Sequence, residues 1–247
     1  MRIIVTFAVQ AEFAPWRRIR NFDCITDTEF MTQIGGSEVR ALITGIRARK
    51  FCLPAADLCV VSGVAGSLKA QLSLGSILVA KAVKRENQEA CSTPALVETA
   101  AQCGALPVES FYTADNVVNT SLEKSRLGQI ADAVDMESYP ILAEASRRGI
   151  PAVAIRAISD TADHNLPLDF SRIINEDGKL EWLPALLQVA ASPASLPQLV
   201  RFGLDSSRAA RRLADFLDKY LGCLVAAKRK RDSAQPYTIS VMENRGA

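Results

Sequence analysis

Residues 134–163 read VDMESYPILAEASRRGIPAVAIRAISDTAD, and their order decides the fold class. Asp135 and Glu137 stand at the head of a helical stretch, 138–149, that stops at Gly149, where a glycine suits a helix C-terminus. An apolar run, 151–158 (PAVAIRAI), follows directly and closes in Ser159, Asp160, Thr161, Ala162 and Asp163. Near-continuous apolar runs fit strands covered by helices on both faces. A helix that feeds straight into such a strand is the repeating unit of an α/β sheet.

Working outward, residues 2–9, 58–64 (LCVVSGV) and 76–83 (SILVAKAV) have the same apolar character. Between residues 30 and 44, FMTQIGGSEVRALIT reads as a hairpin turned at Gly35-Gly36. Helical stretches are expected over 11–20, 47–56, 93–104, 138–149 and 195–224. Strands alternating with helices, plus one hairpin, predict a single-domain three-layer α/β/α sandwich with a mixed central sheet. That domain is expected to cover 1–225, with a connector at 192–197 (SPASLP). Residues 226–247, with the run KRKR from Lys228, are expected to form a basic, disordered tail.

Composition narrows the functional classes. The 247 residues are 49% hydrophobic and 23% charged, ample for one sizeable core. A formal charge of +2 gives no case for nucleic acid. The opening MRIIVTFAVQAEF places a basic residue before an apolar run, but Gln10 and Glu12 interrupt it early, so it reads as a buried first strand. No segment approaches eighteen uninterrupted apolar residues, so no spanning helix is expected and the protein reads as cytoplasmic. The six cysteines contain no C-x-x-C pair; three disulfides are possible by count, and reduced core cysteines are the plainer expectation. A single histidine, His164, excludes a multi-histidine metal site, and loop packing or exposure is expected of it.

Acids and glycines gather at the ends of the expected strands, where open α/β sheets bind ligands. Glu12 follows the first strand; a first-turn carboxylate also has a purely electrostatic reason to sit there. Ser62-Gly63-Val64-Ala65-Gly66-Ser67 ends a buried strand in a glycine turn that brings backbone amides close to a ligand. Asp135, Glu137, Ser159 and Asp160 each have a local explanation as helix-start or capping residues. Local explanations do not account for acids recurring at the mouths of three successive elements. A buried arginine, Arg156, beside such acids also needs partners. The glycine fingerprint of a redox dinucleotide fold is absent after the first strand.

The ordered pattern of G-V-A-G after a strand, M-E-S opening a helix and RAISDTAD closing a strand resembles the purine nucleoside phosphorylase and nucleosidase superfamily over about residues 2–190. The resemblance implies a nucleoside phosphorylase-like fold, with RAISDTAD its most specific block. It implies that Glu12 sits where the adenine-releasing nucleosidases place a carboxylate that positions water, and that Met136 and Glu137 lie under the ribose. Asp160 would donate a proton to purine N7, and Asn116 and Val117, next to Asp115, would run past the base. Gly63, Val64, Ala65 and Gly66 match the family's glycine turn, with Val64 where many members have a polar residue, and Arg156 matches an arginine at the cleft floor. A narrower resemblance, in DMES, RAISDTADHNLP, LPALLQ and LPQLVRFGLDSSRAARRL, is to the hopanoid-associated phosphorylase branch. It implies removal of adenine from adenosylhopane, an adenosine with a hydrophobic 5′ substituent.

Chemically, breaking an N-glycosidic bond leaves positive charge on the sugar and negative charge on the base, so an acid at the base is required. Asp160 takes that role and Glu137 holds the ribose hydroxyls. The nucleophile stays open between water, handled by Glu12, and inorganic phosphate as co-substrate, toward which the branch resemblance tips the balance. Phosphate would require arginines near the glycine turn. Arg156 is one candidate. Arg47, before an expected helix whose terminal amides favour anions, is another, and a solvated surface charge is an equal reading of it. A non-catalytic nucleoside-binding protein is a weaker alternative, since Asp160 and Glu12 are both present. No cofactor is expected; a homo-oligomer is, from the resemblance. The C-terminal helix is expected to pack on the core or a second subunit, while its arginines leave open a peripheral contact with the inner membrane through 195–231.

Overall fold

β1 (Arg2–Phe7) is the axis of the arrangement in a computed structural model that describes residues 1–166 and 196–234. After it come α1 (Gln10–Ile19), β2 (Asp23–Cys24), β3 (Glu29–Ile34), β4 (Ser37–Ile43) and a 3₁₀ turn at Ile46–Ala48. The middle of the chain supplies β5 (Leu58–Ser67), β6 (Ile77–Arg85), β7 (Gln88–Cys91), α2 (Pro94–Gln102) and β8 (Leu106–Thr113). Next are α3 (Ser121–Leu127), β9 (Ala133–Asp135), α4 (Ser138–Arg147) and β10 (Ala152–Asp160). Past the undescribed residues lies the long helix α5 (Leu196–Ala234).

The sheet is mixed. β1 pairs in parallel with β4 and β5, and β5 in parallel with β10. β3 and β4 form the hairpin, its turn at Gly35 (φ 54°) and Gly36 (φ 78°), the left-handed pair that tight hairpins need. Beyond β5 the sheet curls: β10 pairs antiparallel with β6, β6 parallel with β8, β8 parallel with β9, and β9 returns antiparallel to β5. The curl gathers the ends of β5, β9 and β10 around one place.

Alternation along the strands explains why both faces are covered. Ile3, Val5 and Phe7 of β1, with Val153, Ile155 and Ala157 of β10, point into a cluster with α1, α2 and α5. Ile4, Val61, Ala154 and Ile158 point the other way, onto Ile141, Leu142 and Ala145 of α4. This is the α/β architecture expected from the apolar runs. α5 is part of it: Leu213, Leu217 and Leu221 are fully buried, Tyr220 Oη donates to the Leu96 carbonyl (3.0 Å), and Arg20 pairs with Asp218 (2.5 Å). The apolar stripe of this helix thus packs on the core from Ala209 to Val225, while Leu196, Val200 and Leu204 near its start stay exposed.

Several expectations need correction. No helix forms over 47–56: Gly45, Arg47 and Ala48 all have positive φ (76°, 67° and 45°), which a right-handed helix cannot contain, and Pro54 stands further on. α5 runs to Ala234, ten residues beyond its expected end at 224, so the stretch expected to be a tail begins inside it. The connector at 192–195 and residues 235–247 lie outside the described residues. The cysteines are all free, but only Cys59 and Cys103 are buried; Cys24, Cys52, Cys91 and Cys223 are exposed. Among the described residues no helix is long and apolar enough to cross a membrane.

Candidate active site

Glu12 sits in the first turn of α1 and folds back over the end of β1. Its Oε2 accepts from the backbone N–H of Ala8 (2.9 Å) and Val9 (3.4 Å), and its Oε1 accepts from the N–H of Val64 (3.0 Å). The side chain therefore does more than complement the helix dipole; it bridges β1 to the glycine turn of β5. Burial raises its pKa, while nearby Arg156 and the three amides pull it back.

Arg156, 1% exposed, projects from β10 into the middle of the acids. Its Nε donates to Asp135 Oδ2 (2.8 Å) and its Nη2 to Ser138 Oγ (2.9 Å), with Glu137 Oε2 3.8 Å from Nη2. Its Nη1 is buried with no hydrogen-bond partner among the described residues. The Nη1 end of the guanidinium abuts Gly63: a Cβ there would come within 2.1 Å of Nη1 and 3.1 Å of Glu12 Oε1. Asp135 Oδ1 in turn accepts from Thr113 Oγ1 (2.8 Å) and from the N–H groups of Glu137 (3.2 Å) and Ser138 (3.1 Å), fixing the start of α4.

Glu137 Oε1 accepts from the backbone N–H of Arg47 (3.0 Å). Burial pushes its pKa up to about 7; Asp135 and Glu12 add to the rise, and Arg156 and the Arg47 amide oppose it. Asp160, at the end of β10, accepts at Oδ2 from Lys124 Nζ (2.5 Å) and at Oδ1 from Ser159 Oγ (2.8 Å). Gly66 makes room for it, since a Cβ there would meet Asp160 Oδ2 at 2.9 Å. Lys124 is fully buried and also donates to the carbonyls of Thr161 (2.9 Å) and His164 (3.1 Å). His164 itself is exposed, its Nδ1 shared between Thr161 Oγ1 (2.9 Å) and Asp163 Oδ1 (3.0 Å).

These groups border a cavity of about 580 Å³, the size of a small-molecule site. Of the residues picked from the sequence, Glu12, Val64, Ala65, Gly66, Asn116, Val117, Met136, Glu137 and Asp160 line it. Gly63 and Arg156 lie behind that lining, one against the other. Arg47 is not among the lining residues; its Nε donates to the Asp115 carbonyl (2.7 Å) and its Nη2 to Asn116 Oδ1 (3.3 Å). The helix whose terminal amides were the case for an anion at Arg47 is absent. Sequence reasoning missed Lys124, although Thr120 and Glu123 form the reciprocal cap that announces its helix. It also missed Phe202, Gly203, Ser206, Ser207 and Ala210 of α5, which border the cavity. Among the described residues no cluster of His, Cys, Asp and Glu is placed to hold a metal ion.

With this geometry in place, comparison with known proteins is informative. A family model described as Phosphorylase superfamily matches residues 30–179. No curated protein matches the chain. Its fold is similar to that of a futalosine hydrolase mutant of Helicobacter pylori (TM-score 0.66, 16% identity, 90% of this chain and 98% of that one). It is also similar to the 5′-methylthioadenosine/S-adenosylhomocysteine nucleosidase of the same organism (0.67, 17%, 90% and 97%). The corresponding nucleosidase of S. pneumoniae gives 0.66, 18%, 91% and 100%.

Two outcomes are expected from this charge arrangement. Gly63→Ala forces the Arg156 guanidinium off its carboxylates and should cost about 3 kcal/mol in urea denaturation, as breaking a buried ion pair does; a cost under about 1 kcal/mol would mean the guanidinium has room to shift. Glu137 binds its proton more tightly folded (about 7) than unfolded (4.5), so its contribution is full below 4.5 and is lost as pH rises through 7. From about pH 5 to about pH 8, the stability of Glu137→Gln relative to the unsubstituted protein should therefore improve by roughly 1–3 kcal/mol. A pH-independent difference would contradict a buried, protonated Glu137.

Proposed function

The chain belongs to the Phosphorylase superfamily, and from that premise we propose that its cleft hydrolyses the N-glycosidic bond of a purine nucleoside, an adenosine with an apolar 5′ substituent. The observation that carries the hydrolytic reading is the surroundings of Arg156: the guanidinium is compensated by Asp135 and Glu137, with Glu12 close by. Phosphate binding calls for an excess of positive charge. Arg47, the other candidate, is engaged by Asp115 and Asn116. A neutral water suits this floor, with Glu12, which lines the cavity, to accept its proton. The nucleosidases and the futalosine hydrolase of similar fold are hydrolytic by name.

In this scheme the water oxygen bonds to C1′ as the C1′–N9 bond breaks, and the electron pair leaves with the base. Asp160 gives a proton to N7, and the water proton passes to Glu12. Glu137 accepts hydrogen bonds from the ribose hydroxyls, strongest when it is ionised. Once Asp160 has given up its proton, the Lys124 ammonium 2.5 Å away balances the carboxylate that remains. Val64, Val117, Phe202 and Ala210 give the cavity apolar surface, broken on α5 by Ser206 and Ser207, and that surface supports a hydrophobic 5′ group of the adenosylhopane kind.

The test is adenine release from 5′-substituted adenosines, including one with a hydrophobic tail, with and without phosphate. We expect release without phosphate, and a fall of roughly 10²–10⁴ in turnover for Asp160→Asn, typical of a lost general acid. Release that requires phosphate would make the protein a phosphorylase, and no release from any substrate would favour a binding protein.

A further inference from the structure

Arg47 holds a backbone conformation that arginine avoids. Among the described residues the non-glycine positions with positive φ are Arg47 (67°), Ala48 (45°) and Glu86 (50°). Glu86 belongs to the short turn between β6 and β7, but Arg47 and Ala48 adjoin the cleft, whose lining includes their neighbour Ile46. Left-handed non-glycine residues persist where their surroundings force the geometry, and they gather at functional sites.

The surroundings here are specific. The left-handed turn aims the Arg47 N–H at Glu137 Oε1 (3.0 Å). The side chain runs the other way, Nε to the Asp115 carbonyl (2.7 Å) and Nη2 to Asn116 Oδ1 (3.3 Å). Asn116, Val117 and Val118 form one wall of the cavity, and Glu137 is on its floor. One residue thus ties floor and wall together from the turn after β4. Asp115 is held a second time, Arg85 Nη2 donating to its Oδ1 (2.6 Å), so what Arg47 adds is the grip on the backbone and on Asn116.

We propose that Arg47 is a positioning residue: its guanidinium clamps the 115–118 wall, and its left-handed backbone presents the amide that orients Glu137. The clamp depends on the nucleoside reading only for the identity of the ligand it helps to bind. Its side-chain bonds are exposed and add little to global stability, and the backbone conformation subtracts from it. A purely structural residue would behave otherwise, because its loss would lower stability and binding together.

Arg47→Gly separates the two, since glycine keeps the amide and relaxes the backbone while removing the guanidinium. Three quantities decide the matter in Arg47→Gly, Arg47→Ala and Arg47→Lys: melting temperature, amide hydrogen exchange of 115–118 in the free protein, and the Kd of an uncleavable adenosine analogue. Arg47→Gly should melt no lower than the unsubstituted protein, exchange at 115–118 about tenfold faster and bind about tenfold more weakly, the effect of losing the hydrogen bonds to Asp115 and Asn116. Arg47→Lys, with a point charge in place of a fork, should restore part of the binding. Unchanged exchange, or a melting temperature that falls in step with binding, overturns the clamp. If the unsubstituted protein fails to bind the analogue, the nucleoside reading fails, and the exchange measurement still decides the clamp.

Discussion

The buried guanidinium of Arg156 is the constraint on which the site depends. A charge 1% exposed is tolerable only when paired, and the pairing recruits distant parts of the chain. Asp135 comes from β9, Glu137 and Ser138 from the start of α4, and Glu12 from the first turn of α1. Gly63 leaves the space in which the guanidinium lies. One cation among three carboxylates also leaves acid in excess, which is why burial can hold both Glu12 and Glu137 above the ordinary carboxylate range.

The same arithmetic bears on catalysis. A floor without surplus positive charge suits a neutral nucleophile, and a carboxylate whose proton affinity is raised by burial, as that of Glu12 is, is a better acceptor for a proton from water. The acid of the proposed scheme, at the opposite edge, is placed differently: Asp160 accepts from Lys124 and Ser159, so donors are in place for its carboxylate. These charged groups meet because the sheet curls from β5 through β10 and back by β9. A flat sheet would leave Glu137 far from Arg156.

Much of this was legible in the sequence. β1, β5, β6 and β10 are apolar on both faces, and a doubly covered strand needs no partner information to be recognised. Glu12, Glu137, Asp160 and Arg156 stood out because charge is costly at the ends of such strands. The failures have local causes. β8 opens Leu106-Pro107, against strand expectation, and α3 is only seven residues long, so Lys124 had no visible helix to carry it beneath Asp160. The stretch 47–56 looks helical by composition, and the left-handed turn at Arg47 and Ala48, with Pro54 beyond it, forbids it. Which groups surround Arg47 and Arg156 is tertiary information that the sequence does not carry. So is the approach of Phe202 and Gly203, some forty residues beyond Asp160, to the far side of the cavity.

A crystal structure of the protein with an uncleavable adenosine analogue, grown at high phosphate, tests the central claim most directly. The expected result has purine N7 within hydrogen-bond distance of Asp160, the ribose hydroxyls on Glu137, and a water on Glu12. A phosphate ion seated against Arg156 in place of that water, or a nucleoside bound outside the cleft, would contradict it.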